Sequence, residues 1–230
     1  MSQLKKCFLA CIRDSYRQYI AHGARSTEKL KPAHQWIADT LKSRLGDNYE
    51  IYSMRQDGTG GEIQASGLYY DKRVDIGVKF NGRVISGIGF KFVTSNYQQN
   101  SRNYFENMLG ETANLRRSEV GYCALFVLPS KIKYLDRGGD TAKYEIPSSH
   151  NLETYLKLWR DCDFPHKPEA LGIVFVDIDY DKDNVTGFTD VDEMLFDDDI
   201  KAFLKTEACL DNFFNIFVKM TKHKAALSCR

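Results

Sequence analysis

From residue 68 to residue 93 the chain alternates apolar and polar positions around a single Asn-Gly pair. In LYYDKRVDIGVKFNGRVISGIGFKFV the even positions Val74, Ile76, Val78, Val84, Ile88, Phe90 and Phe92 are apolar, while Asp75, Gly77, Lys79, Arg83, Gly87, Gly89 and Lys91 hold odd ones. A period of two is the mark of strands with one covered face, so two strands are predicted here. Elsewhere helical periods alternate with further strands. Residues 4–20 read as an amphipathic helix. A second helix is bracketed by Pro32 near its first turn and Gly46 past its end, with Trp36, Ile37, Leu41 and Leu45 on one face. A short strand at 49–53, a helix at 103–117, a strand in YCALFVLP, a helix at 151–161, a strand in GIVFVDI and a closing helix at 197–222 complete the order. Strands interleaved with helices predict an α/β fold with a mixed sheet.

Register decides what the hairpin can do. A two-residue loop pairs Phe80 with Arg83, which opposes apolar to polar positions further along; a three-residue loop, Phe80-Asn81-Gly82, pairs Lys79 with Arg83, Val74 with Ile88 and Asp75 with Gly87. The longer loop is therefore predicted, because it gives every even residue one face. Asp75, Gly87, Gly89 and Lys91 then share the opposite face. An acid, two glycines and a lysine make an open polar patch where a phosphate and its metal could approach the backbone. Aspartate oxygen suits Mg²⁺, and lysine can hold phosphate or help activate water. The competing reading is an exposed face with ordinary charges.

Composition narrows the field. The chain has 230 residues, 43% hydrophobic and 27% charged, with a formal net charge of +1. This is ordinary folded-domain composition, and it excludes disordered, collagenous and coiled-coil classes. The near balance is uneven along the chain. Residues 1–32 carry seven basic against two acidic residues, and residues 177–199 carry ten acidic residues against Lys182. The acidic stretch begins like a calcium loop at Asp177, Asp179, Asp181 and Asp183, but Lys182 stands at the glycine position and Phe188 at the twelfth, so it reads as a solvated loop. No window of about 18 apolar residues exists. The basic interruptions Arg13 and Arg17 argue against a leader, so a cytoplasmic protein is expected.

Other motifs are weaker. Six scattered cysteines (Cys7, Cys11, Cys123, Cys162, Cys209, Cys229) form no CxxC and read as reduced, mostly buried thiols. The loop QDGTGGE lacks the Lys-Ser/Thr of a P-loop, and the five histidines share no ligand spacing. Phe213, Phe214, Ile216, Phe217 and Met220 form a stripe suited to a core or a dimer face.

The strand VDIGV, the hairpin into GFK, and the helix and strand that follow resemble the PD-(D/E)xK nuclease core. The stretch KFVTSNYQQNSRNYFENMLGETANLRR looks like the corresponding part of type II restriction endonucleases, in particular the XhoI-like branch with its Asn-rich loop and acidic helix. This resemblance spans roughly residues 68–128. It implies that Asp75 is the first metal-binding aspartate and Lys91 the signature lysine. The second acid belongs at position 89, where this chain has Gly89. Some branches carry that acid on the next helix, about fifteen residues after the lysine, which implies Glu106. On a helix Glu106 shares a face with Asn103, Gly110 and Ala113, although Asn103-x-x-Glu106 also reads as a capping box. Glu111 is the reserve, some 140° round the helix.

The implied activity is Mg²⁺-dependent hydrolysis of double-stranded DNA at a specific site. Asp75, Glu106 and the Phe90 carbonyl would hold the metal, with Lys91 beside the attacking water. Asn96, Gln98, Gln99, Asn100 and Arg102 are the expected DNA contacts, since amides pair with adenine edges or phosphates. The competing reading is an Asn-rich turn capping its own backbone. Arg116 and Arg117 either bind the DNA backbone or close the helix dipole. The resemblance further implies a homodimer and a cognate DNA methyltransferase as genetic partner. The expected organisation is one nuclease domain over 1–230, with a helical decoration at 1–46, a catalytic core at 49–178 and the helix at 197–222. Two alternatives remain: an inactive nuclease-fold DNA-binding protein, motivated by Gly89, and a protein-interaction domain using the acidic segment and terminal helix.

Overall fold

The central strand of the fold is apolar on both faces. In the computed structural model, which describes residues 1–228, β6 (Gly121–Pro129) is buried along its whole length. Its side chains divide by parity: Cys123, Leu125 and Val127 enter one core, while Ala124, Phe126 and Leu128 enter another. Helices must therefore cover both sides. On the first side lie α1 (Gln3–His22), α2 (Lys31–Leu45) and α6 (Leu210–Leu227); on the second lie α3 (Tyr97–Arg116), α4 (Ser149–Arg160) and α5 (Asp198–Thr206).

The sheet between them is mixed. It runs β1 (Glu50–Ser53), β4 (Ile76–Phe80), β5 (Arg83–Phe92), β6, β9 (Leu171–Asp179) and β10 (Asn184–Phe188). Only β5/β6 and β6/β9 are parallel, each joined by a crossover that contains a helix. This is the α/β order expected of a restriction-endonuclease-like core: hairpin, helix, then parallel strand. Two small ribbons stand outside the sheet, β2 (Ile63–Ala65) with β3 (Lys72–Val74), and β7 (Ile132–Leu135) with β8 (Thr141–Glu145).

The hairpin corrects the predicted loop. Asn81 and Gly82 both have positive φ (48° and 80°), and Phe80 pairs with Arg83, so the loop has two residues. The shift appears further along instead: Lys79 opposes Val84 and Val78 opposes Ser86, which leaves Ile85 as the extra residue of a bulge. The bulge restores parity, and Gly77 meets Gly87 while Ile76 meets Ile88. Ile76, Val78, Ile88, Phe90 and Phe92 accordingly share the first core. Val74 and Val84 do not. Val74 belongs to β3, ahead of the break at Asp75, and Val84 precedes the bulge; both pack with Tyr122 and Leu115 on the opposite face.

The expected closing helix at 197–222 is two helices. Between them the Ala208 carbonyl accepts the Ile173 backbone N–H at 2.9 Å, satisfying a stretch of β9 that β10 does not reach. Phe213, Phe214 and Phe217 are fully buried, so that stripe is core. The first part of the acidic run forms the β9/β10 hairpin and the rest leads into α5: Asp177 accepts from Ser130 and Thr189, and Asp179 pairs with Lys182. Of the cysteines, Cys11 and Cys123 are buried and Cys162 is exposed, with no disulfide among the described residues; Cys229 lies outside them. No helix among the described residues is long and apolar enough to cross a membrane.

Candidate active site

Asp75 sits where the chain leaves one ribbon for the main sheet, between β3 and β4. Continuing the ladder from Ile76 and Ile88 sets it opposite Gly89, and its Oδ2 accepts the Phe90 N–H at 2.7 Å. The carboxylate thus replaces a strand neighbour that β5 lacks at this point. On the other side, the β2/β3 register continued from Ile63 and Val74 brings exposed Glu62 across from Asp75. Burial, opposed by the Phe90 N–H and reinforced by the Glu62 and Glu111 charges, pushes the Asp75 carboxyl up to about 6.

The expected open patch is largely filled by protein. A Cβ at Gly89 would run into Tyr122 Oη, and the space at Gly77 and Gly87 is taken by Ile63 and Val74. Gly89 therefore admits a tyrosine from the neighbouring strand. Tyr122 Oη donates to Glu111 Oε2 at 2.7 Å, while Lys72 Nζ donates to Glu111 Oε1 at 2.6 Å. Burial, and then the Glu111 carboxylate, hold the Tyr122 hydroxyl far above its usual range. Gly89→Ala is expected to lower stability by about 1–3 kcal/mol through overpacking against this ring. Tyr122→Phe in the same chain recovers part of that loss in a urea melt, since the colliding oxygen is gone; no recovery would mean the ring is not the obstacle.

These groups face a cleft of about 960 Å³. Its walls carry Arg25, Lys29, Lys72, Arg73 and Lys91 against Asp75 and Glu111, five cations to two carboxylates. Lys91 is exposed, with Nζ 5.0 Å from the centre of the Tyr104 ring. Of the acids weighed on the helix, Glu111 lines the cleft and Glu106 does not; Glu106 is exposed with Asn103 and Gly110. The reason is the helix start. α3 begins at Tyr97 behind Asn96, so Asn103 is no cap, and its inward face is Met108, Thr112 and Leu115, flanked by Glu111.

The expected DNA contacts separate. Asn96 is engaged on both amide atoms by the Leu135 backbone, at 2.8 and 3.1 Å. Asn100 donates to the Asn96 carbonyl and lines the cleft. Gln98, Gln99 and Arg102 are exposed and do not line it. Arg116 is bound to Asp163 and Glu169, away from the cleft, and Arg117 meets Tyr69. Lys72, Tyr122 and Lys29 escaped sequence reading. The one signal was Tyr122 itself, a polar group opening an otherwise apolar strand that runs beside a glycine.

No protein-family model and no curated protein sequence matches the chain. Two solved structures are similar to it. Both are cAAA-bound forms of NucC: that of P. aeruginosa ATCC27853 is 7% identical with a TM-score of 0.37, and that of E. coli MS115-1 is 8% identical with a TM-score of 0.39. The alignments cover 100% of this chain and 99% and 98% of those chains. Function has to be read from the site itself.

The donor set suits a hard cation. Among the described residues no cluster of three or more His, Cys, Asp or Glu could hold a metal ion, so the protein would supply two carboxylates and a carbonyl at most. Mg²⁺ is commonly held in that way, keeping water and substrate phosphate as its remaining ligands. Burial and then the Glu62 and Glu111 charges raise the Asp75 carboxyl, and a cation bound there would hold it ionised.

Proposed function

We propose that this chain is an Mg²⁺-dependent nuclease that hydrolyses phosphodiester bonds of double-stranded DNA. In the finer reading it is a type II restriction endonuclease acting at a specific site as a homodimer, with a DNA methyltransferase as its genetic partner. The observation that carries the proposal is the convergence of Asp75, Glu111 and Lys91 on one cation-rich cleft. Asp75, Glu111 and the Phe90 carbonyl would hold the metal. When bound, Mg²⁺ would supply Lewis-acid stabilisation of charge developing on the phosphate. Lys91 would orient the attacking water and the phosphate beside it, and Lys72 and Tyr122 keep Glu111 in place. Glu111 takes the role first assigned to Glu106.

The test is incubation of the protein with varied double-stranded DNA, with Mg²⁺ and with a chelator. Discrete fragments that need Mg²⁺ are expected. Glu111→Gln should cut cleavage by roughly 10²-fold, about 2.7 kcal/mol, and Glu106→Gln by less than about threefold. The reverse order would return the second acid to Glu106. One observation favours the inactive alternative: Gly89 replaces the signature acid and both Glu111 oxygens already have partners. That reading predicts salt-sensitive DNA binding with no cleavage in Mg²⁺.

A further inference from the structure

The turn between α1 and α2 contributes a wall of the cleft that the catalytic reading does not use. Ala24, Arg25, Ser26, Thr27, Lys29 and Leu30 line it together with residues of β5, and Lys29 is carried by a 3-10 turn, Glu28–Leu30. Lys31, two residues later, pairs with Glu28. Among the described residues Lys29 pairs with no carboxylate, and neither do Arg25, Arg73 or Lys91, whereas Lys72 in the same cleft is neutralised by Glu111. Lys29 Nζ instead lies 5.7 Å from the centre of the Tyr19 ring, as Lys91 lies over Tyr104. Burial, and then the charge of Lys91, hold the Lys29 ammonium below its usual range. The two ammonium groups line one cleft, each over an aromatic ring, and like charges facing the same cleft repel. An anion placed between them reverses the sign of that interaction.

We propose that this turn grips the nucleic-acid backbone, with Lys29 and Lys91 sharing one phosphodiester anion and Arg25 reaching its neighbour. This rests on the nuclease reading of the cleft. A backbone fits better than a small free anion, because Arg25 and Arg73, also without a carboxylate partner among the described residues, line the same cleft. The N-terminal basic segment then belongs to the substrate site, and α1 and α2 are part of the working enzyme.

Binding of a labelled duplex by the full chain, in chelator and across a salt series, separates this from the chemistry. Lys29→Ala is expected to weaken binding about fivefold at roughly 100 mM salt and to reduce the slope of log K against log salt by about 0.9, one phosphate contact. Lys29→Arg should restore the slope, and Lys6→Ala, on the exposed surface of α1, should leave it unchanged. In Mg²⁺, Lys29→Ala should raise KM by a larger factor than it lowers kcat. Wild-type affinity and slope in Lys29→Ala would overturn the clamp while leaving the nuclease reading intact. Absence of both DNA binding and cleavage in the wild type would overturn that reading, and the clamp with it.

Discussion

Asp75→Asn is expected to abolish DNA cleavage and at the same time to stabilise the fold. On the nuclease reading, the loss follows from removing a charge that would hold the metal. If the carboxylate helps hold a cation whose transition-state stabilisation amounts to several kcal/mol, cleavage falls by roughly 10³-fold or more. The gain follows from the elevated carboxyl. An acid whose folded value is about 6, against an ordinary 3.8, binds its proton more tightly in the native chain than in the unfolded one. Between those values the folded state holds more protons, so Asp75 makes stability fall as pH rises through that window, and the cost stays in full above it. The span corresponds to about 3 kcal/mol, or ~2 kcal/mol once partial exposure of the side chain is allowed for.

Asparagine keeps an oxygen for the Phe90 N–H and removes the charge that Glu62 and Glu111 repel. At pH 7.5 the melting temperature should rise by about 5 °C in a protein of this size, and the difference should vanish near pH 4. Asp71→Asn, on an exposed acid in the same ribbon, should show neither effect. A variant that is both inactive and less stable would make Asp75 a structural carboxylate whose loss merely loosens β5.

The surroundings of Asp75 show which parts of this site could be read from residues alone. Alternation along β5 is a local property, so the core positions Ile88, Phe90 and Phe92 and the placement of Lys91 on the other face follow from it directly. The turn length does not, because a bulge at Ile85 restores the same parity as an extra loop residue, and the pattern cannot distinguish the two. Helix position is similar. Glu106 and Glu111 differ by about 140°, and the choice between them depends on where the helix starts and which stripe meets the sheet. The cap is Asn96, whose side chain is tied to Leu135 in a ribbon that no periodicity announced. Short strands such as β2 and β7 are stabilised by what they cover, and their residues show little pattern of their own. Hence Lys72, which reaches Glu111 from β3, and Lys29, which arrives from the N-terminal turn, lay beyond any local rule.

His34 carries the second large prediction. It is fully buried in the first turn of α2, neither ring nitrogen has a hydrogen-bond partner among the described residues, and its ring meets Phe90 edge-on at 5.5 Å. Burial pulls its pKa from 6.5 down to about 4, and the positive end of the helix dipole disfavours a cation there as well. A base depressed in this way is neutral in the folded chain, while the unfolded chain takes up a proton below about 6.5. Stability present above that value is therefore lost as pH falls toward 4, by about 2 kcal/mol at pH 5 and about 3 kcal/mol at the lower limit. His34→Leu, similar in volume and apolar, should remove that loss: relative to wild type, its unfolding free energy in urea should improve by about 2 kcal/mol more at pH 5 than at pH 7.5. Parallel pH profiles for the two proteins would show that the ring is not held neutral by burial. Asp75 titrates with the opposite sign over nearly the same interval, and both groups touch Phe90, one through its N–H and one through its ring. The double variant should accordingly show a flatter acid profile than either single one. Phe90 is then the residue through which the buried face of the sheet and the cleft face share one strand.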